Sequence, residues 1–258
     1  MAPAASGTAA DRPPAAQVRA AGCITAILES LLPLCRAGIT PVELAAHADP
    51  MFQSTGLTPT LRGYRAGFAG PFPAAVCVSV NRVAANGVPG EVPLQRGDLV
   101  TLDVAGASDG WHADGATTAV ITADTPRPHP QARRVLAVVL GAIAPGTTFG
   151  RVLAAYRSAC AEVGVHPVRE VVAHGIGRAL HEGPTVLAGR DEDLEFRSGQ
   201  VLAVEPIVST KPGRLETLAD GWSRAVPAGG SAAYEERTVV VTCRGAELLA
   251  PEPRFPGA

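Results

Sequence analysis

Acidic side chains lie in apolar, strand-like sequence in the first half of this 258-residue chain. The period-two alternation of residues 99–104 predicts a strand that carries Asp103. Asp109-Gly110 then predicts a hairpin turn, and the returning strand carries Asp114. The two carboxylates can therefore meet across the hairpin, with a bulge needed for close registry. Burying two acids side by side costs several kcal/mol unless a cation neutralises them. The alternative interpretation is that both are exposed residues at strand ends.

The second half contributes histidines and glutamates. His174 and His181 are separated by a glycine-bearing segment, which suits a loop that presents imidazoles to a cleft. Glu205 ends a strand too apolar to solvate it, and Glu236 shares a strand face with Thr238. A single histidine is more often a structural residue than a ligand, so these residues are informative only as a set.

Two Asp, two Glu and one His form an oxygen-rich ligand set. Such a set suits a pair of divalent ions, such as Mn, Fe, Co or Zn. Two metals about 3.5–4 Å apart can share a bridging hydroxide and polarise a carbonyl, which is the basis of metal-assisted amide hydrolysis. The residues alone therefore predict a dinuclear metallohydrolase.

An internal repeat predicts how the two halves are arranged. Residues 94–103 match residues 196–205 without a gap, so that Asp103 and Glu205 are 102 positions apart. A weaker match pairs residues 38–40 with residues 146–148. Two copies indicate a duplicated α/β unit, with Asp103 facing Glu205 across a pseudo-two-fold axis.

The remaining pattern predicts the elements that position these residues. We expect a disordered tail over residues 1–16 and a single catalytic domain over residues 17–258. Thr40-Pro41-Val42-Glu43 predicts a capped helix start. The other expected elements are helices over 18–37, 131–144 and 149–163, and a strand over 75–81.

Composition restricts the partners and the compartment. The 22 basic and 24 acidic residues give a net charge of −2, which argues against nucleic acid or an anionic membrane as the main partner. Five widely spaced cysteines form no Cys-x-x-Cys pair, so no disulfide framework is expected. The first 16 residues do not resemble a signal peptide, and the longest apolar stretch, residues 135–144, falls short of the ~20 residues of a membrane span. We therefore expect a soluble cytoplasmic protein.

These motifs resemble those of type I methionine aminopeptidase in order, spacing and flanking residues, from about Arg19 to Leu249. The matching segments are Gly97-Asp98 with Asp103, Asp114, Ala173–Gly177 continuing to His181, Glu205-Pro206, and Tyr234–Thr238. The resemblance implies an α+β pita-bread fold, with two pseudo-symmetric α/β halves around a curved antiparallel sheet. It also implies removal of N-terminal methionine from peptides or nascent proteins, including chains at the ribosome, by a monomeric enzyme without nucleic-acid or membrane partners.

The resemblance assigns roles to the candidate residues. Two divalent ions per chain, Co, Mn, Fe or Zn, would be held by Asp103, Asp114, His174, Glu205 and Glu236, with Asp114 and Glu236 bridging. Glu236 is preferred to Glu235 because the family's Glu-x-Thr matches residues 236–238. Glu205 would also move the proton of the bridging water, and His181 would hydrogen-bond the substrate amide and stabilise the tetrahedral intermediate.

The resemblance also places a methionine pocket, and this is where the chain departs from the family. Cys77 and Trp222 occupy pocket positions, while Phe72 replaces the usual Tyr and Leu180 the usual Phe. Asn86 replaces a histidine near the scissile bond, and Ala69 stands where an aromatic residue is usual. Asn donates a hydrogen bond but cannot take up a proton or carry a positive charge, so loss of an acid–base histidine there would cost about 10²–10⁴ in rate.

Two alternatives stay open beside the aminopeptidase. One is a respecialised hydrolase on the same scaffold, such as a Xaa-Pro dipeptidase, which is disfavoured because the chain lacks the extra N-terminal domain usual in those enzymes. The other is a non-catalytic peptide-binding relative. Asn86 favours it, whereas the five retained ligand candidates disfavour it.

Overall fold

The computed structural model describes residues 12–66, 70–123, 125–168 and 171–257. The helices are α1 (Ala15–Leu31), α2 (Pro41–Thr55), α3 (Pro130–Ala142) and α4 (Phe149–Glu162), with a 3-10 turn at Leu32–Leu34. The strands of the first half are β1 (Thr58–Pro59), β2 (Cys77–Val80), β3 (Val83–Ala85), β4 (Leu99–Ser108), β5 (Trp111–Val120) and β6 (Arg127–Pro128). Those of the second half are β7 (His166–Pro167), β8 (Val171–Gly175), β9 (Glu182–Leu187), β10 (Val201–Val204), β11 (Val208–Ser209), β12 (Glu216–Thr217), β13 (Arg224–Ala225), β14 (Ala232–Ala233), β15 (Glu236–Thr242) and β16 (Gly245–Leu248).

A ten-stranded antiparallel sheet runs through both halves in the order β1-β4-β5-β15-β10-β8-β9, with β2, β6 and β16 paired at its sides. The helix α1 packs on β4 and β5, and α2 packs on α1 and on the neighbouring strands β1 and β2. The helices α3 and α4 pack on each other, and their apolar faces share a second core with β8, β10 and β15. Each half therefore has its own helix layer and core, and β5 meets β15 where the halves join.

The internal repeat is confirmed by matching hydrogen bonds. The backbone N–H of Gly97 donates to the Ile121 carbonyl over 2.8 Å, and that of Gly199 donates to the Val241 carbonyl over 2.8 Å. Both glycines have a positive φ, of 95° and 83°, which lets the chain turn into β4 and β10. The halves therefore repeat a turn-and-strand unit.

The weaker repeat is confirmed in the same way. The Gly38 N–H donates to the Leu94 carbonyl over 2.8 Å, and the Gly146 N–H donates to the Phe196 carbonyl over 2.9 Å. Each pair ties the segment before a helix to the segment before the equivalent strand. The pseudo-two-fold arrangement thus extends to the helix layer.

The hairpin between β4 and β5 forms as expected, but without the predicted bulge. Asp109 and Gly110 have φ values of 50° and 73°, as a two-residue type I′ turn requires. This turn pairs Asp103 with Ala116, so Asp114 lies two residues away on the same face of the neighbouring strand. The expectation of a bulge was wrong because diagonal neighbours on one face approach closely in a regular ladder.

Helix ends follow their local chemistry. The Thr40 side chain and Glu43 form the predicted capping box of α2. Ala15 and Ala16, which the sequence analysis places in the tail, are instead helical, because alanine favours the helix that begins directly after Pro14. α1 ends at Leu31 rather than Ala37, close to Pro33. Residues 1–11 lie outside the described residues.

α1 together with the turn that follows it, Ala15–Leu34, is the one described helix long and apolar enough to cross a membrane, by length and composition only. It exceeds residues 135–144, which the sequence pattern identified as the longest apolar stretch. Ile24, Ile27, Leu28 and Leu31 are buried in the core, and the helix packs on β4 and β5. The apolar side chains of this helix are therefore accounted for by packing in the core.

Candidate metal centre and substrate cavity

A cavity of about 360 Å³ lies where the two halves meet, and the structure brings all the candidate site residues together around it. The five ligand candidates in its wall are Asp103, Asp114, His174, Glu205 and Glu236. The wall also contains the candidate substrate contacts Phe72, Cys77, Asn86, Leu180, His181 and Trp222. Residues that lie as many as 164 positions apart in the sequence are thus neighbours in space.

Central strands of the main sheet position the ligand candidates. Asp103 is on β4 and Asp114 on β5, and Glu236 begins β15 opposite Ala116 of β5. His174 is on β8, and Glu205 follows directly after β10, the strand between β8 and β15. Backbone pairing therefore determines which side chains meet.

Distances within the cluster suit shared coordination. One ligand atom from each of Asp114, His174 and Glu236 lies within 4.8 Å of the other two. His174 Nε2 lies 3.7 Å from Glu205 Oε1. Tyr234 Oη donates a hydrogen bond of 2.8 Å to Asp103 Oδ2, which orients that carboxyl group.

Burial and mutual repulsion disfavour the charged forms of these carboxyl groups. Burial raises the pKa of Asp103 to about 6. Burial, followed by the charges of Glu236 and Asp103, raises the pKa of Asp114 well above its usual range. Burial, with the charges of Glu205 and Asp103, does the same to the pKa of Glu236. The described residues lining the cavity include no Lys or Arg, so the charge of the cluster must be neutralised by protonation or by a bound cation.

Hydrogen bonds orient the imidazole of His174 for metal binding. Its Nδ1 lies 2.9 Å from the Gly175 carbonyl oxygen, which can only accept, so Nδ1 carries the proton. Nε2 is then unprotonated and free to bind a metal, and the hydrogen bond from Nδ1 to Gly175 fixes the direction in which it points. Burial lowers the pKa of His174 to about 4, which keeps the ring neutral. Four carboxylates and one neutral imidazole fit divalent transition metals.

The ligand strands are themselves anchored. The Asp114 backbone N–H donates to Thr238 Oγ1 over 2.9 Å, and the Thr238 hydroxyl donates to the Asp114 carbonyl over 2.7 Å. Glu235, which directly precedes β15, and Arg237 of β15 form a buried ion pair of 2.8 Å. Thr117 Oγ1 donates to Glu235, and Arg237 donates to the Ala116 carbonyl, so the pair joins β15 to β5.

Aromatic and apolar side chains form the opposite wall of the cavity. Phe72 meets Trp222 edge-on, with 5.4 Å between ring centroids, and Trp222 Nε1 donates to the Gly70 carbonyl over 3.0 Å. Cys77 is paired with Asp103 across β2 and β4, and burial raises the pKa of its thiol. These residues form an apolar recess beside the acidic cluster.

Asn86 lies at a sharply constrained turn. Its φ is 54°, in the left-handed region that Asn tolerates. At the next residue, Gly87, a Cβ would lie 2.5 Å from the Val78 carbonyl oxygen, so the turn is held close to β2. The Asn86 side chain lines the cavity and makes no hydrogen bond to another described residue. Its amide is available to a ligand.

Sequence reasoning missed several residues of this wall. Leu61, Tyr64 and Ala66 line the cavity, and they lie in or beside a glycine- and proline-rich loop from which the sequence analysis assigned only Phe72 to the site. An aromatic residue in such a loop, a few positions before Phe72, is the signal that was available. Ala69, which was singled out as a departure from the family, lies outside the described residues.

Known proteins match this chain over most of its length. Residues 15–243 match metallopeptidase family M24. Methionine aminopeptidase A from Synechocystis is 31% identical over 246 residues, which cover 90% of this chain and 93% of that protein. The crystal structure of methionine aminopeptidase from Thermotoga maritima matches with a TM-score of 0.83 and 28% identity, covering 94% of this chain and 99% of that chain.

The likeness extends more weakly to Xaa-Pro dipeptidase from Bacillus anthracis, with a TM-score of 0.69 and 22% identity, and this chain covers only 60% of that one. This last match concerns the fold alone. The expected α+β pita-bread fold is confirmed by the stronger matches, and membership of a metallopeptidase family implies use of divalent metal. The chain belongs to the M24 metallopeptidase family.

Proposed function

We infer that this protein is a metal-dependent methionine aminopeptidase that hydrolyses the peptide bond after an N-terminal methionine. One observation carries the inference: a cluster of four carboxylates and one imidazole shares a cavity with an apolar, aromatic recess. The cluster suits amide hydrolysis, and the recess suits one apolar side chain. The names of the similar proteins support the same activity.

We propose that Asp103, Asp114, His174, Glu205 and Glu236 would together hold two divalent ions, Co, Mn, Fe or Zn. Bound there, the ions would polarise the scissile carbonyl and lower the pKa of water. The raised pKa values of Asp103, Asp114 and Glu236 support this proposal, since such groups are stabilised as carboxylates by a cation.

The proton transfers fall to Glu205. Its Oε1 lies 3.7 Å from His174 Nε2, at the edge of the ligand cluster, and its side chain is partly exposed to the cavity. A carboxylate there takes the proton of the attacking water and delivers it to the leaving amine. Burial lowers the pKa of His181, so its ring is neutral and donates one hydrogen bond to the substrate amide.

The apolar recess binds the methionine side chain. Leu61, Phe72, Cys77, Leu180 and Trp222 supply apolar and aromatic surface. An unbranched thioether adapts to such a surface and makes favourable sulfur–aromatic contacts. Asn86 donates an amide hydrogen bond to the substrate near the scissile bond. The substrates are N-termini of peptides and nascent chains, including those at the ribosome, processed by a cytoplasmic monomer.

The test is release of methionine from a Met-Ala-Ser peptide with Mn, Fe(II) or Co supplied. We expect release by the wild type and its loss in Glu205→Gln, which preserves the side-chain shape but removes the base. Metal content is measured on both proteins. Two bound ions with no methionine release, together with cleavage of an Ala-Pro peptide, would contradict this function in favour of a Xaa-Pro hydrolase. Metal-free protein without turnover would favour a peptide-binding relative.

A further inference from the structure

The hydroxyl of Tyr64 contacts the catalytic wall through His181. Tyr64 Oη lies 2.7 Å from His181 Nδ1, and the two ring centroids are 5.6 Å apart. The residues come from loops 117 positions apart in the sequence. This is the one hydrogen bond that the structure gives the His181 ring among the described residues.

Both partners of this contact are held in place. The Tyr64 backbone N–H donates to the Leu61 carbonyl over 2.9 Å, and its carbonyl accepts from the Phe72 N–H over 2.8 Å. The Tyr64 ring also lies 6.4 Å from the ring of Trp222. On the other side, the His181 ring packs on His174, with 4.5 Å between centroids. Tyr64 therefore meets a ring whose position the fold has already set.

The chemistry of the two groups decides which one donates. A phenol O–H is a good donor, whereas the phenol oxygen is a weaker acceptor than an unprotonated imidazole nitrogen. This chemistry favours the arrangement in which the Tyr64 hydroxyl donates to Nδ1. A neutral imidazole has one N–H, so the proton of His181 must then be on Nε2, the nitrogen left for a ligand.

We propose that Tyr64 is a positioning residue that keeps His181 in the tautomer with a proton on Nε2, so that this nitrogen donates to the substrate amide. The proposal rests on the proposed function and deepens it. The orientation of His181 matters more in this chain because Asn86, the other polar side chain of the wall near the scissile bond, cannot take part in proton transfer. His181 is then the one imidazole aimed at the substrate rather than at a metal.

The test compares Tyr64→Phe with Tyr156→Phe. The first substitution keeps the ring against Trp222 and removes only the hydroxyl. The second removes a buried hydroxyl that bonds to the Val168 and Ile207 backbone, away from the cavity. We expect Tyr64→Phe to lower kcat for Met-Ala-Ser about tenfold, the effect of one hydrogen bond, with KM nearly unchanged. Tyr156→Phe should leave kcat unchanged.

A spectroscopic measurement reads the tautomer without turnover. In zinc-loaded protein labelled with 15N-histidine, we expect the His181 signal of the wild type to show an unprotonated Nδ1 and a protonated Nε2. The signal is assigned by its loss in His181→Asn. In Tyr64→Phe the same ring should show both tautomers. A protonated Nδ1 in the wild type, or an unchanged signal in Tyr64→Phe, would overturn the proposal.

Kinetic coupling separates this role from pocket shape. In the His181→Asn background, Tyr64→Phe should cause no further fall in kcat, because the group through which it acts is absent. An equal fall in both backgrounds, or a rise in KM in place of the fall in kcat, would contradict the positioning role. If the proposed function itself is wrong, no variant releases methionine, while the imidazole signal still reports the tautomer.

Discussion

The acidic floor of the cavity and its aromatic wall are built in different ways. The floor side chains, Asp103, Asp114, His174, Glu205 and Glu236, belong to paired central strands or directly follow one. Most wall side chains, including Tyr64, Asn86 and His181, come from loops, whereas Cys77 lies on β2. Strand register determines the floor, so its side chains are positioned together as one unit. Loop geometry determines the wall, so single residues such as Asn86 can change without disturbing the sheet.

The largest effect should come from removing one floor ligand. Glu236→Gln keeps the side-chain volume but removes a charge that two metals would share, and we expect activity to fall by about 10³-fold or more, equivalent to several kcal/mol of lost charge stabilisation. Metal content by elemental analysis should fall in parallel. If Glu236→Gln bound two ions and kept wild-type activity, the claim that the floor ligands matter more than single wall residues would be wrong.

The matched control is the neighbouring carboxylate, Glu235→Gln. Glu235 faces away from the cavity and pairs with Arg237, so its loss leaves a buried charge without its partner. We expect the free energy of unfolding to fall by about 3–5 kcal/mol in urea denaturation, while metal stoichiometry is unchanged. Loss of metal without loss of stability would mean that the two glutamates have exchanged roles.

The wall is tested by Asn86→His, which should raise activity. A histidine there adds an acid–base group near the scissile bond, and we expect kcat for Met-Ala-Ser to rise by about 10², at the lower end of the range for such groups. A new pH dependence near the ordinary histidine pKa should accompany the rise. An unchanged rate would contradict a need for an acid–base group at this position. Asn86→Asp, which keeps the side-chain shape but removes the amide N–H donor, would then test whether the hydrogen bond itself contributes to the rate.

A smaller effect is the pH dependence of metal-free protein. The pKa of Asp103 is raised to about 6, so the folded state binds its proton more tightly than the unfolded state does. Its contribution to stability is therefore present below about pH 4 and is lost as the pH rises through about 6. With metal removed by a chelator, Asp103→Asn should gain a few °C in Tm relative to the wild type at pH 7, and less at pH 4.5. An equal difference at both pH values would contradict this assignment.

The sequence predicted the strand-borne floor of the cavity better than its loop-borne wall. The repeat around Gly97 and Gly199, the capping box of α2 and the hairpin at Asp109-Gly110 are local patterns, and all three form. Their turns place the strands, and the strands bring the ligand candidates together. Membership of the family was recognised from the same segments.

What sequence reasoning missed depends on contacts without a local pattern. The hydrogen bond between Tyr64 and His181 joins two loops, and neither loop has a periodicity that points to the other. The ion pair between Glu235 and Arg237 depends on Thr117 and Ala116 of β5, which lie more than a hundred residues earlier in the chain. The expectation of a bulge near Asp114 was wrong because it considered only residues directly opposite each other, whereas Asp103 and Asp114 are diagonal neighbours in a regular ladder.

The seam between β5 and β15 has a consequence for how the chain is held together. Two residue pairs, Glu236 with Ala116 and Arg237 with Gly115, form its backbone register within the described strands. Asp103 and Asp114 belong to one half of the molecule, and the other ligand candidates belong to the second. An ion coordinated by both sets would be a reversible cross-link across that seam. It would close loops of 60 residues or more, counted from Asp114 to His174, much as a disulfide does, but a chelator would remove it.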